Sequence, residues 1–266
     1  MVILALVLGI IIIYLPENTI QIDGGETLFS AVTFLFGIIG GFTIALVWDE
    51  FTETRDMISE DDALYKTIWG LITLFDKKSV DVLRKNMDKI LVLGYSLGWS
   101  EFSRTDGLLT DTFNKIEKLM PKTSQQKDIY DQLLNLTSDW EKVRSRLYVI
   151  GESRISKIQM GVLLVLGLLM ILTRFGIRQD HLAFDIIIYF VSLSVFLVLF
   201  LIHDLDNYSF SNALWGEKDA ESYERLFDII EMPYYYPEEL VNLKMVRPKG
   251  KDYRTKIPKD YLKDIK

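Results

Sequence analysis

The chain has 266 residues, of which 49% are hydrophobic and 25% charged, contains no cysteine and carries a formal net charge of −7. Without thiols there is no disulfide, thiolate nucleophile, iron–sulfur cluster or thiolate zinc site. A net acidic chain also lacks the concentrated basic surface that counterion release on nucleic acid requires, so no nucleic-acid partner is expected.

Charged and apolar residues are segregated along the chain, which distinguishes it from a soluble domain. Four apolar segments follow in order, at residues 2–15, 28–48, 160–173 and 182–202. The second and fourth are long enough to cross a hydrocarbon core of about 30 Å at roughly 1.5 Å per residue. The first has neither a basic n-region nor a small-residue cleavage site and reads as an uncleaved anchor. The third is short, but Gln159 and Arg174 at its ends can snorkel, and a short link to the fourth predicts a helical hairpin across the membrane. The loop at 16–27 holds Glu17, Asp23 and Glu26 and no base, whereas Arg55, Arg144, Arg146, Arg154 and Lys157 flank the second and third spans on the other side. The positive-inside bias, opposed mildly by Arg174 and Arg178, places the polar regions in the cytoplasm of a multi-pass cell-membrane protein.

The expected fold is therefore an all-α integral membrane protein with four transmembrane helices and a cytoplasmic antiparallel helical bundle. Its divisions are a first transmembrane pair at 1–48, the bundle at 49–158, a second transmembrane pair at 159–202, and a C-terminal region with a basic tail at 203–266. Within the bundle, apolar residues recur at steps of three and four, as in helices packed along a seam. The seams run through Phe51, Ile58, Tyr65, Ile68, Ile72 and Phe75, then Leu83, Met87, Ile90 and Leu97, then Leu109, Phe113, Ile116 and Met120. A fourth runs from Ile129 through Trp140 to Ile150 after a capping-box start at Thr123 and Gln126, and is expected to continue straight into the membrane. Breakers at 76–79, 105–107 and Pro121 separate the four helices. Beyond the last span, the sequence predicts a helix near 213–230, a Tyr-rich stretch at 234–236, a short helix after Pro237 and a loose basic tail.

Several patterns bear on function. Asp49, Glu53, Asp56 and Glu60 recur at helical spacing beneath the second span, with Asp61 and Asp62 adding charge. In an oligomer this stripe would concentrate cations at a pore mouth, although a solvated face opposite the apolar seam is the simpler reading. Gly37 and Gly41 form a G-x-x-x-G spacing beside Gly40, which lets helices approach closely, and the flanking Phe36 and Phe42 are candidate pore-lining residues. Asp185 is the one carboxylate inside an apolar span, and Arg174 at similar depth on the adjoining helix is its expected ion-pair partner. Asp204 and Asp206 offer oxygen ligands at the end of the last span, a weak calcium site without the glycine and distal glutamate of an EF-hand loop. The tail from 244 has nine bases against three acids, suited to anionic lipid. No nucleophile elbow, P-loop, dinucleotide fingerprint or zincin helix is present, so no enzymatic activity is expected.

The order of these pieces resembles the prokaryotic bestrophin-like membrane proteins. The resemblance rests on the acidic helix with Asp62-Ala63, on Arg144-Ser145-Arg146-Leu147 ahead of the third span, and on Asp204-Leu205-Asp206-Asn207 with Phe210 after the fourth. Asp62 stands where the family pattern has glutamate, and Tyr208 where it has proline or arginine. Bestrophins proper are pentameric, calcium-gated anion channels with an acidic calcium cluster after the last span. The resemblance thus implies a homo-oligomeric channel, with Asp204 and Asp206 near such a cluster. The acidic stripe is an awkward entrance for anions, which leaves selectivity open. The alternative is a membrane-anchored helical scaffold or sensor that recruits protein or anionic lipid without conducting ions.

Overall fold

A computed structural model describes residues 24–97, 105–152, 155–177, 182–206, 220–242, 244, 246–250 and 252–261. The expected first span at 2–15 lies outside the described residues. Eight helices are found among those described: α1 Gly25–Ile72, α2 Lys77–Leu97, α3 Asp106–Glu117, α4 Ser124–Glu152, α5 Lys157–Gly176, α6 Leu182–Asp206, α7 at 220–229 and α8 Glu238–Asn242. Three of them, α1, α5 and α6, contain stretches long and apolar enough to cross a membrane. The chain divides into two compact units, one of Met1–Phe51 with Arg154–Ser209, the other of Thr52–Ser153 with Phe210–Lys266.

In the first unit, the leading part of α1 packs with α5 and α6 around Val32, Phe36, Leu163, Met170, Val195 and Ile202. Lipid gives helices no hydrophobic reason to associate, so close approach at small residues must hold them. Gly167 supplies it: a Cβ there would lie 2.6 Å from Val195 Cγ1 and 3.4 Å from Phe36 Cε2, so α5 meets both neighbours at that point. A polar contact adds to the packing, with Gln159 Nε2 donating to the buried Thr43 Oγ1 at 3.1 Å. Thr43 also donates to Ile39 O, so its hydroxyl is satisfied despite burial.

The second unit is a helical assembly of the remainder of α1 with α2, α3, α4, α7 and the C-terminal segment. Its core follows the seams closely, through Tyr65, Ile68, Ile72, Leu83, Met87, Ile90, Ile116, Leu133 and Trp140, and Phe227 and Ile230 complete it. The α1–α2 turn is fixed by Asp76, which accepts from Ser79 N at 3.2 Å and Ser79 Oγ at 3.0 Å and starts α2. Thr123 caps α4 by accepting from Gln126 N, while the Gln126 side chain reaches back to Lys122 N and to Leu74 O.

The second span and the acidic segment form one helix, and two expectations change. Helix α1 runs for 48 residues and passes from the apolar segment into the acidic one without a break, because no Pro falls within 42–72 and the one glycine there, Gly70, lies in the last turn. Helix α4 does not run straight on into the next span: it ends at Glu152, and α5 begins anew after Ser156, whose side chain accepts from Ile158 N. The basic tail is not loose. Strand β1, Tyr234–Tyr235, pairs in parallel with β2, Tyr253–Arg254, and the segment behind it is tied to α2.

Candidate functional site

Within the first unit α1 has two distinct faces. Val32, Phe36, Gly40, Thr43 and Val47 are buried, at the three- and four-residue steps of a helix packed on its neighbours. Gly37, Gly41 and Phe42 lie on the exposed side, where Phe34 is 67% and Phe42 69% accessible. A Cβ on Gly40 would meet Val198 at 3.7 Å and Leu163 at 3.9 Å, whereas one on Gly37 or Gly41 would meet nothing within 4 Å. The pore candidates therefore split. Phe36 and Gly40 pack the subunit, because the helix turns them toward α5 and α6. Gly37, Gly41 and Phe42 present a surface of small and aromatic residues that no part of the described chain covers.

The acidic stripe is exposed along its length. Asp49 lies near the end of the α1 portion of the first unit, and Glu53, Asp56 and Glu60 are exposed in the second. Glu53 accepts from Arg146 Nη2 at 3.1 Å, which offsets part of the charge of the stripe.

The next two acids behave differently, because the helix carries them into the core. Asp61 accepts Arg144 through two bonds, Nε at 2.5 Å and Nη2 at 2.7 Å, and Trp140 Nε1 at 2.6 Å. Arg144 is only 7% exposed, so this is a buried bidentate pair held by α1 and α4. Asp62 accepts a short hydrogen bond from Ser222 Oγ on α7. Burial pushes the Asp62 carboxyl above its ordinary value, with the Ser222 bond opposing and the Asp61 charge reinforcing the shift. One turn on, the fully buried Tyr65 hydroxyl is pushed well up by burial and by nearby Asp88. Charge alone groups Asp61 and Asp62 with the exposed stripe. The signal for their inward direction is the Trp140 and Arg144 pair, which share an α4 face at a spacing of four.

At one end of the first unit, Arg174 in the last turn of α5 lies over the rings of Phe29 and Phe184, at 5.3 and 5.2 Å from their centroids. Among the described residues it forms no ion pair with Asp185, contrary to the expected pairing; the guanidinium turns to the two aromatic faces instead. At the other end, Asp204 and Asp206 are half-buried, and Asp206 Oδ1 accepts from Ile155 N at 2.8 Å, steadying the approach to α5. Among the described residues no group of three or more His, Asp or Glu side chains is placed to hold a metal ion.

These features define a helical membrane protein with a packed apolar unit, a second helical unit and one long helix whose small-residue face no described residue covers. A family model described as a bestrophin-like domain matches residues 2–210, and the chain belongs to that family. Among solved structures, a bacterial bestrophin homolog from Klebsiella pneumoniae is similar at a TM-score of 0.63 and 14% identity, covering 86% of this chain and 97% of that one. A variant of the same homolog gives 0.63 and 14% over 86% and 96%, and a structure described as a membrane protein gives 0.67 and 14% over 86% and 97%. No curated protein matches the chain.

Proposed function

We propose that the protein is a homo-oligomeric ion channel in which the exposed face of α1 lines the pore. The observation that carries this reading is the division of α1. Phe36 and Gly40 are consumed by packing, while Gly37 and Gly41 meet no other part of the described chain. Glycine weakens a helix by about 1 kcal/mol relative to alanine, so two of them on an open face suit a constriction where bulk is excluded. Membership of a family whose characterised members are ion channels supports the same reading. In this arrangement Asp49, Glu53, Asp56 and Glu60 line the vestibule on the cytoplasmic side, to which the positive-inside bias assigns the second unit.

The absence of cysteine allows a test without background. In liposomes, single cysteines at Gly37, Gly41 and Phe42 are expected to react with a charged thiol reagent added to the water phase and to change ion flux. Cysteines at Phe36 and Gly40 are expected to stay unmodified. Equal reactivity at all five positions, or the lack of any flux from the unmodified oligomer, rejects the pore assignment. In the second case the scaffold reading takes its place.

A further inference from the structure

We propose that Arg174 is a binding site for a phosphate group at the edge of the hydrocarbon layer. The three elements around it all reach that edge at the same end of the first unit: α5 ends two residues later at Gly176, α1 has just begun at Gly25, and α6 begins at Leu182. The guanidinium lies over Phe29 of α1 and Phe184 of α6, and its Nε is buried with no hydrogen-bond partner. Ring faces attract a cation but take none of its directed N–H bonds. The acids of the same end are Glu26 on α1 and Asp185 on α6, and among the described residues neither forms an ion pair with Arg174.

Arg174 is half-buried, and its enclosed Nε–H lacks an acceptor that an anion at this edge would supply. The last-turn position favours the charge through the helix dipole but leaves that N–H unpaired. At this depth a membrane presents one abundant oxyanion, the phosphate of its lipids, and a planar guanidinium matches a phosphate with two parallel bonds. The two rings fix the guanidinium against rotation, so little conformational freedom is lost on binding. The site is independent of whether the protein conducts ions.

The test uses the full chain in detergent after removal of lipid, read by native mass spectrometry during titration with phosphatidylglycerol, with a galactolipid as the phosphate-free control and inorganic phosphate as competitor. Wild type is expected to take up phosphatidylglycerol at about tenfold lower concentration than R174Q, the scale of a lost charge-assisted pair. R174K is expected to fall between them, because it keeps the charge but not the fork. The galactolipid should bind wild type and R174Q alike. Displacement of the phospholipid by inorganic phosphate in wild type assigns the site to free phosphate, and resistance to it assigns the site to the lipid headgroup. Equal phosphatidylglycerol uptake by wild type, R174K and R174Q, with no effect of inorganic phosphate, overturns the proposal. If R174Q elutes as misfolded protein, wild type is compared with R174K alone: weaker uptake by R174K supports the site, and equal uptake overturns it.

Discussion

Replacing Arg144 by methionine would leave the largely enclosed Asp61 with Trp140 Nε1 still donating to it but the bidentate fork gone. Breaking one side of a buried pair typically costs about 3–5 kcal/mol, whereas replacing both partners by apolar residues is often close to neutral. R144M is therefore expected to lower the unfolding temperature of the second unit sharply, and Asp61→Leu with R144M to recover part of the loss. Unfolding followed by tryptophan fluorescence checks this, since Trp69 and Trp140 are both buried there. Asp62 makes a different prediction. Its folded carboxyl titrates above the unfolded value of 3.8, so the folded state holds the proton more tightly. The charged form costs stability at neutral pH, and that cost disappears as pH falls through the raised value toward 3.8. Asp62→Asn keeps an acceptor for Ser222 and removes the titration. The variant should be the more stable at neutral pH, with its margin over wild type shrinking as pH is lowered through that window. A margin that grows on acidification would contradict the burial of Asp62.

Helix α5 owes its place to two features of its own sequence. Ser156 caps its start, and Gly167 lets it meet Val195 and Phe36. Ser156→Ala is expected to cost about 1 kcal/mol, as a lost N-cap does. Gly167→Leu should be far worse: even a Cβ would come within 2.6 Å of Val195, so α6 must move or the unit must open. Aggregation of Gly167→Leu on size-exclusion chromatography, with S156A eluting as wild type does, is the expected contrast. Sequence alone does not distinguish Gly167 from Gly161, which meets nothing within 4 Å; only the three-dimensional neighbours do. The seams of the second unit are more legible. Tyr65, Ile68, Leu83, Met87 and Trp140 fall where periodicity puts them, since a packed helix must bury every third or fourth residue. The two faces of α1 are not legible, because in lipid the inner and outer faces are equally apolar and hydropathy cannot separate Phe36 from Phe42.

At the scale of the whole molecule, the C-terminal segment is the part whose composition misleads most. Its nine bases suggest a solvated tail, yet one of them is committed to a fully buried acid. Asp88 on α2 accepts Arg254 at 2.6 and 2.7 Å and the Tyr261 hydroxyl at 2.5 Å, and Arg254 also donates to Pro233 O. Burial and the Asp88 bond raise the Tyr261 hydroxyl, so it keeps its proton and remains a donor. The anchor spans 166 residues of sequence between Asp88 and Arg254, which no local pattern could reveal. Strand β2 is only two residues long and cannot hold itself by backbone bonds, so the Asp88 pair is what fixes it. Arg254→Met strands a buried carboxylate and should destabilise the second unit by roughly 3 kcal/mol or more. It should also open the segment after 250 to protease at a concentration that leaves wild type intact. Asp88→Leu with Arg254→Met removes both charges and should restore much of the stability, while the tail stays protease-sensitive because its anchor is gone. Full protection in the double variant would mean that the strand and the apolar packing of the Tyr261 ring suffice without Asp88.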